Sequence, residues 1–141
     1  MHERCDILII GAGPAGMAAA LAAAPSGAAI TVVDDNPQPG GQIWRDGPQV
    51  ALPPLAQQHR ADLARHPNIR VLTGTRVVGL GASQPTDKAP ALLLEDADRG
   101  WTQHSHRIIL CTGARELLLP FPGWTLPGVT GAGALQALIK A

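Results

Sequence analysis

The chain has 141 residues, room for one domain. Its 11 Lys and Arg balance 11 Asp and Glu, and it holds one Phe and no Tyr. It therefore lacks both the basic field and the aromatic platforms that nucleic-acid binding requires.

The stretch 5–34 reads as strand, glycine turn, helix and strand. The apolar run Ile-Leu-Ile-Ile at 7–10 suits a buried parallel strand. Gly11, Gly13 and Gly16 follow in the G-x-G-x-x-G spacing. The first glycine permits a sharp exit from the strand, the second a close approach of pyrophosphate to backbone, the third close packing of helix on sheet. Pro14 suits a first helical turn, where its fixed φ is helical and its missing N–H would have had no partner. Ala15 and the Ala-rich run to residue 24 favour a helix, whose free N–H groups and dipole make an anion site. A second strand at 29–33 ends at Asp34, 18 residues beyond Gly16, where a carboxylate is expected to bind a ribose hydroxyl. The acid also argues against a bound 2′-phosphate, because two anions repel. Glycines present for packing alone are the competing reading of this turn.

The uncharged run 7–24 also has to be weighed as a membrane span or signal peptide. Three glycines and a proline in its middle, its Ala-rich weak hydrophobicity and the acids Glu3 and Asp6 ahead of it favour the nucleotide turn. No transmembrane segment is expected. Cys5 and Cys111 are far apart, without a C-x-x-C, and border apolar strands, so both read as small hydrophobes in a reducing, cytoplasmic setting.

After Asp34, the turn formers Asp35 and Asn36 lead into a stiff loop ending in Gly40, Gly41 and Gln42. It reads either as a plain surface loop or as one returning under a cofactor, with Gln42 hydrogen-bonding it. Arg45 is either solvated or faces a phosphate or carboxylate. A helix is expected over 55–66, with Leu55, His59 and Leu63 on its apolar face and Pro67 stopping it. Short strands follow at 69–72 and 75–80, the former placed beside the first strand. A polar turn at 81–89 precedes a hairpin of strands 91–95 and 101–105. A separate strand is expected over 106–111, ending in Thr112 and Gly113 at the carboxyl edge of the sheet, where open α/β sheets bind ligands. His59, His66, His104 and His106 lack metal-ligand spacing, so no metal is expected. A proline-rich connector at 117–129 leads to a helix from residue 130, with Leu135, Leu138 and Ile139 on one side.

Three motifs now stand in order: GAGPAG at 11–16, DDNPQPGGQIWR at 34–45 and CTGAR at 111–115. Together they resemble the FAD-binding part of two-dinucleotide-fold flavoproteins of the pyridine nucleotide-disulfide oxidoreductase class. DDNPQPGGQIWR and LPFPGWTLPGV are similar to the larger subunit of opine oxidase, hydrogen cyanide synthase and D-hydroxyproline dehydrogenase enzymes. The resemblance implies an α/β, three-layer, Rossmann-like FAD-binding fold: a mainly parallel sheet with a β-hairpin crossover, incomplete at the C-terminus. It implies an FAD-binding domain at 1–119, and at 120–141 a connector and helix leading to a second dinucleotide-binding domain. Gly11, Gly13, Pro14, Ala15 and Gly16 would meet the pyrophosphate. Asp34, with Asp35 beside it, would serve the adenosine ribose. Gly41 and Gln42 would lie along the ribityl and flavin side, Val77 would meet adenine through its backbone, and Thr112 and Gly113 would approach the pyrophosphate from the opposite edge. The implied activity is dehydrogenation of an amine, imino acid or opine by hydride transfer to flavin. The implied partner is a second flavoprotein subunit. No catalytic residue is assigned, and the disulfide reductases' thiol pair is absent. A non-catalytic nucleotide-binding module and an NAD-binding domain remain as alternative readings.

Overall fold

A computed structural model of the chain describes residues 2–47, 50–81, 89–114, 116–117 and 119–140. Arg115 of the third motif and most of the turn expected over 81–89 lie outside them. Among the described residues, strands β1 (His2–Ile10), β2 (Ile30–Val33), β3 (Ile69–Leu72), β4 (Arg76–Leu80), β5 (Ala91–Glu95) and β6 (Gly100–Leu110) form one sheet. Helices α1 (Pro14–Ala23), α2 (Pro54–Arg65) and α3 (Ala132–Lys140) complete the elements, with a 3-10 turn at Ala24–Ser26.

The strand order is β3-β2-β1-β6-β5-β4. The pairs among β3, β2, β1 and β6 are parallel, and those among β6, β5 and β4 antiparallel. The third strand therefore lies beside the second, not the first, because the place on the other side of β1 is taken by β6. The uncharged run 7–24 is divided between β1 and α1, and no described helix is long and apolar enough to cross a membrane.

β6 also departs from expectation. Separate strands expected at 101–105 and 106–111 are one 11-residue strand. Its first half pairs with β5, from Gly100 opposite Glu95 to His104 opposite Ala91, while β1 runs alongside it from Thr102 onward. The polar triplet Gln103, His104 and Ser105, at the end of the shorter strand expected, is buried between the two partners. Gln103 accepts from Trp101 Nε1 at 3.3 Å and donates to the His104 carbonyl at 3.3 Å, so its buried amide is satisfied without ending the strand, whereas the buried Ser105 hydroxyl has no hydrogen-bond partner among the described residues.

The parallel strands are covered on both faces. On one, Ile9, Ile30 and Val32 pack against Met17 and Ala20 of α1 and Leu63 of α2. On the other, Leu8 and Val33 meet Leu92, Leu94 and Trp101 from the antiparallel extension. Helices, parallel strands and curled hairpin are the three layers. Truncating Leu8 or Leu94 to Ala, both fully buried, should cost about 2–5 kcal/mol, against about 1 kcal/mol or less for an exposed ion pair. The core, not the surface charge, holds the sheet together.

One ion cluster ties distant segments: Glu3 accepts from Arg70 at 2.7 Å and from Arg99 at 2.8 Å, and Arg99 lies 4.4 Å over the Trp101 ring. Burial alone would raise the Glu3 carboxyl, but the two guanidinium groups outweigh it and hold it below its ordinary 4.5. A depressed carboxyl stabilises the fold above its unfolded pKa, and that contribution is lost as pH falls through the folded value. The urea midpoint should therefore drop below about pH 4.5, and Glu3→Gln should flatten part of that drop. An unchanged slope in Glu3→Gln would contradict the assignment.

Downstream of β6, successive turns bring Trp124 N–H onto Phe121 O, Leu126 N–H onto Gly123 O and Val129 N–H onto Leu126 O. Glu116 accepts from the Gly133 amide at 2.7 Å at the start of α3. Leu135, Leu138 and Ile139 of α3 are exposed.

Candidate functional site: a glycine cradle at the carboxyl edge of the sheet

Gly11 leaves β1 with φ +100°, and a Cβ there would stand 2.3 Å from the Cys111 carbonyl oxygen. Only glycine takes that backbone and that approach. A Cβ on Gly16 would fall 1.8 Å from Gly11 O, so its absence lets α1 rest on the turn. Gly13 differs from both. Its φ of −70° and ψ of −176° suit any residue, and a Cβ would meet nothing nearer than Gly40 O at 4.0 Å. No protein contact among the described residues requires a glycine at 13; open space lies above it.

That space adjoins the start of α1. Pro14 is its first residue, no side chain caps it, and its first turn holds no acid. The first intrahelical bond runs from Met17 N–H to Gly13 O at 3.0 Å. The amides of Ala15 and Gly16 precede it and, with the dipole, favour an anion there. The residues present thus fit a bound diphosphate: bare backbone at Gly13, free amides beside it and no competing carboxylate in the helix turn.

Asp34 follows β2 and is 6% exposed. One carboxylate oxygen accepts from Ala12 N–H at 2.5 Å, the other from the Asn36 amide at 2.8 Å and Asn36 Nδ2 at 2.7 Å. A carboxylate offers about four acceptor positions, so one remains for a ligand hydroxyl. Asp34 therefore also fastens the end of β2 to the glycine turn. Asp35 is exposed and accepts from Asn36 Nδ2 at 3.2 Å. Thr75 N–H donates to Asp34 O and Gly74 N–H to Asn36 O, both at 2.9 Å, which joins the segment after β3 to this corner.

The Gly40–Gly41 loop returns to the same place. Gly40 N–H donates to Ala12 O at 2.8 Å, and Trp44 N–H to Gly40 O at 3.0 Å. Gly41 has φ +58°, and a Cβ on it would stand 3.2 Å from Gly13 Cα. The loop thus lies against the cradle, not out on the surface. Gln42 is exposed on it, and Arg45 donates to Asn36 Oδ1 at 3.4 Å. From β6, Cys111 N–H donates to Ile10 O at 2.7 Å, and exposed Thr112 and Gly113 follow beside Gly11. Burial raises the thiol pKa of Cys111 and, more deeply placed, of Cys5; both are free and act as packing groups.

The structure brings together Gly11, Gly13, Pro14, Ala15, Gly16, Asp34, Gly41, Thr112 and Gly113. Val77 is paired with Leu94 and packed against the second core, two residues beyond Thr75, whose amide joins this corner. Sequence reasoning missed Arg60 of α2, which reaches across to the loop. Of the expected apolar face of α2, Leu63 is buried but Leu55 is exposed, and Ala56 takes its place in the core. His59 instead sets its ring edge-on to Trp44, 5.4 Å between centroids. The signal that would have found Arg60 is its place between Ala56 and Leu63, at i, i+4, i+7.

The family described as pyridine nucleotide-disulphide oxidoreductase matches residues 5–138. An opine oxidase subunit of Agrobacterium tumefaciens (strain Ach5) is 38% identical over 149 residues, covering 96% of this chain and 29% of that protein. The hydrogen cyanide synthase subunit HcnB of Pseudomonas protegens is 40% identical over 146 residues, covering 95% and 30%. The crystal structure of L-proline dehydrogenase from P. horikoshii superposes with a TM-score of 0.66 at 21% identity, over 86% of this chain and 25% of that one, which establishes the likeness of fold. The chain thus spans under a third of the length of the curated relatives it matches.

Proposed function

Because the chain belongs to the pyridine nucleotide-disulphide oxidoreductase family, we propose that its cradle binds FAD and that it forms the nucleotide-binding part of an amine- or amino acid-oxidising flavoenzyme. The observation that carries this reading is the space at Gly13, which no side chain of the described residues fills and which adjoins an uncapped helix start. The diphosphate sits over Gly13 against the amides of Ala15 and Gly16. Asp34 accepts a ribose hydroxyl with its remaining lone pair, and Asp35 flanks it. Gly41 and Gln42 line the side toward the flavin, Thr112 and Gly113 close the opposite edge, and Val77 meets adenine through its backbone. Bound FAD would supply the redox chemistry, taking a hydride from the carbon of a CH–NH group as the nitrogen gives up a proton and a C=N bond forms. This chain's residues bind and orient it, and none is assigned as acid or base.

The substrate class follows the named relatives, an opine oxidase and a hydrogen cyanide synthase, both described as subunits. A second subunit is accordingly part of the proposal, as is the division into an FAD-binding portion at 1–119 and a connector and helix at 120–141. Two free thiols, Cys5 and Cys111, suit a reducing compartment such as the cytoplasm.

FAD is preferred to NAD because the Gly40–Gly41 loop is built against Gly13, a contact with no assigned role in a simple NAD domain. Calorimetry with FAD and NAD tests the choice: FAD should bind more tightly, and tighter NAD binding would overturn it. Asp34→Ala should weaken FAD by about tenfold or more, since it removes a charged acceptor for a ribose hydroxyl and frees the Ala12 amide. Unaltered affinity in that variant would remove Asp34 from the site.

A further inference from the structure

We propose that Arg60 is the positioning residue of the cofactor loop, holding Gly40 and Gly41 against Gly13 without itself touching the cradle. The proposal rests on the FAD-binding reading above. Arg60 is on α2, outside the fingerprint and the loop, yet its guanidinium gathers the loop from 38 to 46. Nη1 donates to Asp46 Oδ2 at 2.9 Å and to Gln38 Oε1 at 3.3 Å. Nη2 donates to the Pro39 carbonyl and reaches the Trp44 carbonyl at 3.5 Å. The carbonyls of Pro39 and Trp44 bracket the glycine pair. The same nitrogen would stand 3.1 Å from a Cβ on Gly40, so guanidinium and buried glycine are in contact.

The planar fork matters here. A guanidinium can serve two carbonyls and a carboxylate at once in fixed directions, whereas an ammonium is a single point of charge. Gly40 and Gly41, both at positive φ, carry no side chains of their own to pack, so this part of the loop is held through its backbone and its neighbours. Arg60 Nε is buried without a hydrogen-bond partner among the described residues, a desolvation the remaining guanidinium contacts must offset. Trp44, edge-on to His59 one residue earlier on α2, is a second tie between the same loop and helix. From Arg60 the chain of contacts runs through Pro39 and Trp44 to Gly40, from Gly40 N–H to Ala12 O, and from Gly41 to Gly13.

The test compares wild type, Arg60→Lys and Arg60→Met by FAD titration, thermal melting of the FAD-free protein, and hydrogen exchange of the Gly40 and Trp44 amides. Arg60→Met should weaken FAD by about 10- to 100-fold, as loss of supporting contacts does at other preorganised sites. Arg60→Lys should fall between it and wild type. Both amides should lose protection in Arg60→Met while the β1 and β2 amides keep theirs. FAD affinity within threefold of wild type, or unchanged protection of the Gly40 amide, overturns the proposal. A general loss of protection across the sheet also overturns it, by making Arg60 merely structural. Wild-type protein that binds no FAD defeats the cofactor reading instead, and is recognised by its own titration.

Discussion

Gly13→Val is expected to abolish FAD binding while leaving the protein folded. The backbone at 13 is in an ordinary extended conformation, and a Cβ there has 4.0 Å to its nearest protein neighbour. A Cβ is therefore accommodated, with a penalty of about 1 kcal/mol for exchanging glycine at a helix N-cap. The introduced side chain occupies the space assigned to the diphosphate and separates it from the Ala15 and Gly16 amides. Losing that approach should weaken binding by at least about 100-fold, or about 2.7 kcal/mol. Fluorescence titration with FAD and a thermal melt of the same preparation measure both halves. FAD affinity within about threefold of wild type would mean that the phosphates lie elsewhere. A collapsed melt would mean that the space is needed by the protein itself.

Much of this corner was legible because each local signal has its own physical cause. A β-branched run followed by G-x-G-P-x-G predicts both where β1 ends and where α1 begins, and Asp34 at the end of β2 reads directly from the spacing. The hairpin at 96–99 was legible for a similar reason: Asp96 accepts from the amides of Asp98 and Arg99 at 2.9 Å, a local turn its sequence announces. What failed depended on partners distant in the chain. β6 was expected as two strands meeting between Ser105 and His106. Here Gln103, His104 and Ser105 are enclosed by β1 on one side and β5 on the other, and no local pattern reveals that double pairing. Asp34 was read only as a ligand for ribose. Its bonds to Ala12 and Asn36 add an internal task that appears once two segments 22 residues apart are brought together. Arg60 escaped notice because an arginine on a helix is ordinarily solvated. Its buried neighbours Ala56 and Leu63 turn it inward.

Gly16→Val should have the opposite signature from Gly13→Val and a larger effect on the fold. A Cβ at 16 would lie 1.8 Å from Gly11 O, 2.9 Å from Gly11 C and 3.4 Å from the Cys111 Cβ. The first two are backbone atoms, so no rotamer change relieves the overlap; α1 must move off the turn. Gly11 cannot yield either, because the place a Cβ on it would take is already filled by the carbonyl oxygen of Cys111, just beyond β6. Moving α1 separates Met17 and Ala20 from Ile9, Ile30 and Val32, the core of one face. Helix propensity alone would favour replacing glycine by about 0.5 kcal/mol, but overpacking a fixed backbone contact costs about 3 kcal/mol or more. Against a total stability of about 5–15 kcal/mol, that predicts a melting temperature lower by about 8 °C or more, or an insoluble product. Ala18→Val, on the exposed side of the same helix, is the control and should change stability by about 1 kcal/mol or less. A Gly16→Val melt matching that control would show that α1 does not rest on the turn at this crossing. The close approach of helix to sheet, on which the placement of the amides at Ala15 and Gly16 depends, would then be wrong.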